Sequence, residues 1–450
     1  MRRIIIAGTH SGCGKTTVTC AVLAALKARG MKVSAFKCGP DYIDPMFHRE
    51  IIGVPSHNLD SYFCDDNTLK YLLNEHGSDS DIAVIEGVMG FYDGADGRGS
   101  AYSLSQITDT PAVIVIDCRG MSDSIGAVMR GFLDYKRPNN IAGFIFNRLP
   151  ERLEPLAKRL CDELGTRYFG SMPKSEITIE SRHLGLVTAG EIENIKSKLA
   201  QLGELAEKHI CLDEIAGIKT PGFPDFKAPE LPENSGRKPV IAVAKDRAFC
   251  FIYNDNIELL KKIGCEIKYF SPLNDSKIPD EADGLYLCGG YPELYAGQLS
   301  ANAEMLADIR EKITGGLPTI AECGGFMYLH DTFEDADGNE NKGAGVIHSK
   351  CFKTAKLQRF GYVTLTSKSD NILCTSGDKF RAHEFHYFDS CDCGSDFTAE
   401  KSDGRKWDCI HANDALYAGF PHLYFYSDIN LAVKYLNICR KYMETAKNGN

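Results

Sequence analysis

At 450 residues the chain is too long for one ordinary hydrophobic core and long enough for two. Its 43% hydrophobic and 25% charged residues exclude a disordered chain, and no apolar run is long enough to cross a bilayer. The net charge of −10 argues against nucleic acid as the main partner, so an anionic substrate must meet local positive charge.

The opening MRRIIIAGTH runs directly into a β-branched strand, so its arginine pair does not head a signal peptide. That strand ends in a glycine-rich turn delivering Gly14-Lys15-Thr16-Thr17 into a helix expected from about Thr16 to Ala28. This is the layout of a phosphate-binding loop. Backbone N–H groups around Ser11, Gly12 and Gly14 surround phosphate oxygens, Lys15 reaches the terminal phosphates, and the Thr16 hydroxyl completes the shell of a bound Mg²⁺. Thr9 stands where the first glycine is usual, with Gly8 one residue earlier.

KVSAFK (32–37) reads as the next strand, followed by the turn Lys37-Cys38-Gly39-Pro40-Asp41-Tyr42-Ile43-Asp44-Pro45. Two carboxylates three apart at a strand end lie where doubly wound sheets place ligands; a turn using Asp and Pro for its shape is the plainer alternative. DIAVIEGVMG (81–90) ends a strand in Glu86, placed to hold Mg²⁺ beside the first loop. PAVIVID (111–117) and IAGFIFN (141–147) are two further buried strands. Asn147-Arg148 at the end of the latter either touches purine or phosphate, or caps the strand. Strands alternating with helical stretches predict a parallel sheet with helices on both faces.

From Asp213 to Pro239 five prolines and three glycines in a polar stretch predict an interdomain linker, giving domains 1–212 and 240–445. A second α/β pattern begins with PVIAVAK (239–245) and reaches Gly289-Gly290-Tyr291-Pro292-Glu293. LPTIAECGGFMYL (317–329) then carries a β-run to Cys323 and turns into an apolar helix. A nucleophile on such an elbow is exposed, the helix N-terminus would favour its thiolate, and backbone N–H groups near Gly290 and Gly324 are placed for an oxyanion. The base is expected to be His422, with His383 and His386 as rivals. The 17 cysteines are dispersed, with no C-x-x-C and one C-x-C (Cys391, Cys393), which points to reduced thiols in a cytosol and against a zinc site.

With these motifs in view, the chain resembles the cobyrinic acid a,c-diamide synthases over nearly its full length. The marks are Gly8-Thr9…Ser11-Gly12…Gly14-Lys15-Thr16-Thr17, Lys37…Gly39-Pro40-Asp41-Tyr42-Ile43-Asp44-Pro45, and Glu86-Gly87-Val88-Met89-Gly90. They continue with Arg182-His183-Leu184-Gly185-Leu186, Gly289-Gly290-Tyr291-Pro292-Glu293, Glu322-Cys323-Gly324-Gly325 and His383-Glu384-Phe385-His386-Tyr387. The resemblance implies two doubly wound α/β domains. The first is P-loop NTPase-like, with a loop spaced as in dethiobiotin synthetase; the second is a flavodoxin-like class I glutamine amidotransferase.

It also implies a mechanism. Cys323 attacks the glutamine amide, and His422 accepts the thiol proton and hands it to the leaving ammonia. The usual third member, a glutamate two residues after the histidine, is here Tyr424, so a two-residue Cys–His arrangement is expected. ATP·Mg²⁺, with Thr16, Glu86 and Asp41 on the metal, would phosphorylate a macrocycle carboxylate for ammonia to displace. Lys37, Asp41, Tyr42 and Asp44 match the tetrapyrrole loop, and Arg182 and His183 would add positive charge. Expected partners are cobyrinic acid and glutamine, with no nucleic acid and no membrane, domains docked during turnover, a cytoplasmic location and a homodimer left open. Rival readings are the same chemistry on nickel sirohydrochlorin, a P-loop ATPase switch or metallochaperone, and an inactive amidotransferase domain kept for binding.

Overall fold

A computed structural model describes residues 1–95, 97–174, 189–232 and 237–448, with side chains of 189–193 and 446–448 left aside. Its contacts divide the chain into two compact units, Met1–Pro229 and Glu230–Asn450. Arg182 and His183 lie outside the described residues.

The first unit is built on a seven-stranded sheet: β1 (Arg2–Gly8), β2 (Val33–Cys38), β3 (Ser56–Leu59), β4 (Ile82–Glu86), β5 (Ala112–Asp117), β6 (Ile141–Asn147) and β7 (Arg167–Met172). Their order is β3-β2-β4-β1-β5-β6-β7, every pairing parallel. β1 is apolar from Ile4 to Ala7 and β4 from Ile82 to Ile85 because helices cover both faces of a parallel sheet. Between β1 and β2 runs the helix α1 (Lys15–Ala28), entered from Gly14 in the left-handed conformation. Register aligns Lys37 of β2 with Glu86 of β4, and β1 lies on the other side of β4. The carboxyl ends of three adjacent strands therefore bring the first loop, Lys37 and Glu86 to one crevice.

The proline-rich stretch expected as a linker is not free over its first half. It opens with a helix at Leu212–Ala216 and is then strapped to the first unit. Arg3 donates to the carbonyls of Pro221 (3.3 Å) and Gly222 (3.4 Å) and lies over the Phe223 ring at 5.0 Å, while Asn67 exchanges two hydrogen bonds with the Lys227 backbone.

The second unit carries β8 (Val240–Ala244), β9 (Phe249–Phe251), β10 (Glu266–Phe270), β11 (Gly284–Leu287), β12 (Gly289–Gly290) and β13 (Thr319–Glu322). Its main sheet runs β10-β8-β11-β13, then Leu416–Gly419, in parallel, closed by a short antiparallel edge at His411–Ala412. In chain order that is the 2-1-3-4-5 winding of flavodoxin-like folds. The sequence reading did not foresee two further sheets contributed mainly by residues 330–423, one of mixed direction and one antiparallel throughout. The latter pairs strand Lys379–His386 with His422–Leu423 and sets His383 directly opposite His422.

Candidate active sites

The loop after β1 turns through Gly12 (φ 81°) and Gly14 (φ 96°), left-handed values that favour glycine. A Cβ on Gly14 would also lie 2.1 Å from Nδ2 of Asn147. Asn147 donates to the Cys13 carbonyl at 2.9 Å and Arg148 to the Gly12 carbonyl at 3.1 Å. This end of β6 is thus fastened to the loop itself. Ser11 and Gly12 stand exposed at the loop tip, and Thr17 lies in the first turn of α1. Lys15 is folded back, its Nζ donating to the His10 carbonyl at 3.2 Å, and burial lowers its pKa.

Below the loop lies a buried charge cluster. Lys37 Nζ donates to Asp44 Oδ2 at 2.5 Å and to Glu86 Oε1 at 2.9 Å, with Asp41 Oδ2 at 3.9 Å. Burial alone would lower Lys37, but the charges of Asp44, Glu86 and Asp41 raise it well above its ordinary value. Burial likewise pushes Glu86 up, yet Lys37, His48 and the Thr16 hydroxyl hold it well below the usual carboxylate range. Asp44 moves the other way, raised by burial and by the charges of Asp41 and Glu86.

Thr16 Oγ1 donates to Glu86 Oε1 at 2.6 Å, so two hard oxygens converge at the foot of the loop. Such a donor set fits Mg²⁺ beside a nucleotide phosphate. Asp41 spends Oδ1 on the N–H groups of Ile43 and Asp44, and Tyr42 precedes the short helix Ile43–Phe47. One neighbour escaped the sequence reading. His48, fully buried, sets Nε2 3.3 Å from Glu86 Oε2 and Nδ1 3.1 Å from Ser56 Oγ. Its spacing from Glu86 in the chain carries no signal; only the helical turn after Asp44 brings it there.

In the second unit Cys323 has φ 45° and ψ −101°, a conformation that costs a non-glycine residue about 1–3 kcal/mol and that clusters at functional sites. The helix beyond it, Gly324–Tyr328, is five residues, too short for an appreciable dipole. The positive partner of the thiol is instead His422. Burial would lower that imidazole, but the charge of Cys323, hydrogen bonds to Cys323 and Glu322, and the charge of Glu322 push it up to about 10.

The two rival histidines are placed differently. His386 donates from Nδ1 to the Phe388 carbonyl at 2.6 Å and stacks on Phe420 with ring centroids 4.0 Å apart. Burial, then the charges of His422 and Lys401, lower His383 to about 3, so it stays neutral beside His422.

The backbone N of Gly290 lies 3.0 Å from where a Gly324 Cβ would sit, so the two glycines expected to hold an oxyanion are adjacent. Gly289 has a role of its own. A Cβ there would come within 2.5 Å of His422 Cε1. Gly289→Ala is therefore expected to displace the imidazole and cut glutamine hydrolysis by about 10²-fold in a steady-state assay, with the fold kept. A wild-type rate would remove His422 as the base.

The sign of the His422 shift gives a second expectation. Its pKa is raised from 6.5 to about 10, so the stability it contributes is fully present below pH 6.5 and lost as pH rises through about 10. The difference in thermal midpoint between wild type and His422→Gln should shrink across that window; a gap that grew would reverse the sign.

Both units match known families. Residues 4–187 match the CobQ/CobB/MinD/ParA nucleotide binding domain, and residues 240–429 the CobB/CobQ-like glutamine amidotransferase domain. A P-loop domain followed by a glutamine amidotransferase domain defines a glutamine-dependent carbon–nitrogen ligase. At full length, the cobyrinate a,c-diamide synthase of Caldanaerobacter subterraneus subsp. tengcongensis is 36% identical over 98% of this chain and 99% of its own. That of Thermoplasma volcanium is 40% identical over 98% of each, and that of Fusobacterium nucleatum subsp. nucleatum 38% identical over 95% of this chain and 98% of its own. The chain belongs to the cobyrinate a,c-diamide synthase family. Among the described residues no helix is long and apolar enough to cross a membrane.

Proposed function

We propose that this chain converts the a and c acetate carboxylates of cobyrinic acid to amides, using ATP, Mg²⁺ and glutamine, as a step of cobalamin biosynthesis. The observation that carries the reading is full-length similarity to cobyrinate a,c-diamide synthases, supported by the contact of Thr16 with Glu86 below the first loop and of His422 with the residue preceding Cys323.

Glutamine would place its amide carbon at Cys323 Sγ. The thiolate adds, His422 protonates the departing ammonia, and the N–H groups of Gly290 and Gly324 receive the oxyanion. In the first unit a substrate carboxylate would attack the γ-phosphorus of ATP, because oxide is a poor leaving group and phosphate a good one. Thr16, Glu86 and Asp41 would hold Mg²⁺, which neutralises charge on the transferred phosphoryl. Lys15 must leave the His10 carbonyl to reach the phosphates. Lys37, held by Asp44 and Glu86, supplies positive charge at the crevice floor, and Asp41 and Tyr42 line the turn that would meet the macrocycle, with Arg182 and His183 adding charge.

Incubation with ATP, Mg²⁺ and glutamine, offering cobyrinic acid and nickel sirohydrochlorin separately, tests the reading by product mass. Two carboxylate-to-amide conversions on cobyrinic acid are expected. Conversion of the nickel compound alone would keep the chemistry and change the pathway. Glutamine hydrolysis with neither acid changed would overturn the substrate.

A further inference from the structure

A histidine that shuttles a thiol proton works from one nitrogen, and something must hold the proton on the other. In triads of this class the holder is a glutamate two residues beyond the histidine, and here that position is Tyr424. The tyrosine is fully buried and engaged elsewhere: its hydroxyl donates to Asp255 Oδ2 at 3.1 Å and its ring packs edge-on against Tyr253.

A different carboxylate reaches the imidazole. Glu322, the last residue of β13, sets Oε2 3.4 Å from His422 Nδ1. Catalytic hydrogen bonds are often this long before substrate binds. The other oxygen is pinned: Oε1 accepts from the Tyr286 hydroxyl at 2.8 Å and the Leu423 N–H at 3.2 Å. Asn256 secures that frame, donating to the Leu423 carbonyl at 2.9 Å and accepting from the Phe425 N–H at 2.8 Å.

Consecutive residues of a strand point to opposite faces. The left-handed backbone at Cys323 breaks that alternation, so Glu322 and Cys323 both interact with the one imidazole.

We propose that Glu322 is the positioning residue of the glutaminase site, standing in for the absent triad glutamate by holding Nδ1–H of His422. The assignment rests on the amidotransferase reading above. The thiol proton passes from Cys323 Sγ to His422 Nε2, leaving a thiolate and an imidazolium whose Nδ1–H donates to Glu322. When the tetrahedral adduct collapses, the same proton leaves on ammonia and the thioester remains on Cys323. The titratable groups that share this frame are Cys323, Glu322 and the neutral His383 at the imidazole, and Tyr286 at the carboxylate.

The test compares full-length wild type, Glu322→Gln and Tyr286→Phe. It reads glutaminase kcat and KM, and the pH dependence of Cys323 alkylation by iodoacetamide, followed by peptide mass spectrometry. Glutamine keeps the size of the side chain but turns an amide toward Nδ1 and favours the wrong tautomer. Its kcat is expected to fall about 10³-fold with KM within about threefold, and the alkylation midpoint to rise by about one pH unit or more. Tyr286→Phe, which removes only one donor to Oε1, should lose about tenfold in kcat and shift the midpoint in the same direction. This holds the proposal to account even where Glu322→Gln fails to fold. Glu322→Gln with kcat within threefold of wild type, or either variant with an unmoved alkylation midpoint, overturns the assignment. Wild-type protein that hydrolyses no glutamine overturns the amidotransferase reading instead.

Discussion

Cys323→Ala is expected to lose glutamine hydrolysis by about 10⁴-fold or more, because alanine offers no atom to form the thioester and water must then attack an unactivated amide. The loss should be confined to that half-reaction. Cys323 is 7% exposed, and deleting its sulfur removes one small buried group, a change of about 1 kcal/mol in stability from lost packing. Far-UV circular dichroism should therefore show the fold kept, with a lowered thermal midpoint where Cys323 no longer supports the charged His422. Amidation of the macrocycle with a high concentration of ammonium salt in place of glutamine should survive, since an activated carboxyl reacts with ammonia from any source. Sixteen other cysteines provide the control: most are buried, as Cys288 and Cys351 are, and burial raises both thiols well above their ordinary value. A Cys323→Ala protein that still hydrolysed glutamine would place the nucleophile elsewhere and dissolve the assignment of His422 with it.

The mirror-image result is expected for Lys15→Ala. Glutamine hydrolysis should persist while ATP-dependent amidation falls by about 10³-fold, the scale of removing one charged contact from a transferring phosphoryl group. Lys15 is 8% exposed and bonded to the His10 carbonyl, so the ammonium is stored within the loop. Lys37 cannot replace it. That ammonium is held by Asp44 at 2.5 Å and Glu86 at 2.9 Å, and withdrawing it would leave two buried carboxylates facing one another. Coupled assays for ADP and for ammonia on the same preparation separate the two half-reactions. Undiminished amidation by Lys15→Ala would remove the first loop from the phosphoryl transfer.

The first loop was legible because its chemistry is local. Gly12, Gly14, Lys15 and Thr16 are neighbours in the chain, and the φ of 81° and 96° at the two glycines is what their residue type foretells. The bend at Cys323 was legible for the same reason, as were the buried strands on either side of both sites, but the thiol expected to stand exposed on it is buried. What belongs to the crevice floor was only half legible. Lys37 and Glu86 were each recognisable at a strand end, but the order β2-β4-β1 is what sets them 2.9 Å apart. His48 went unnoticed because nothing in its local spacing points to Glu86.

In the second unit the sequence alone left three histidines open and anticipated a site of two residues. Tertiary structure set His383 directly opposite His422 through the antiparallel pairing of strand Lys379–His386 with His422–Leu423, a pairing no periodicity announces. It also supplied Glu322, which reads as an ordinary strand end beside the nucleophile until the kink at Cys323 turns it onto the imidazole. Local backbone chemistry, written in consecutive residues, was determined by the sequence itself. Which charged groups face each other across strands was decided by the fold, because side chains distant in the chain meet only where sheet order and register carry them.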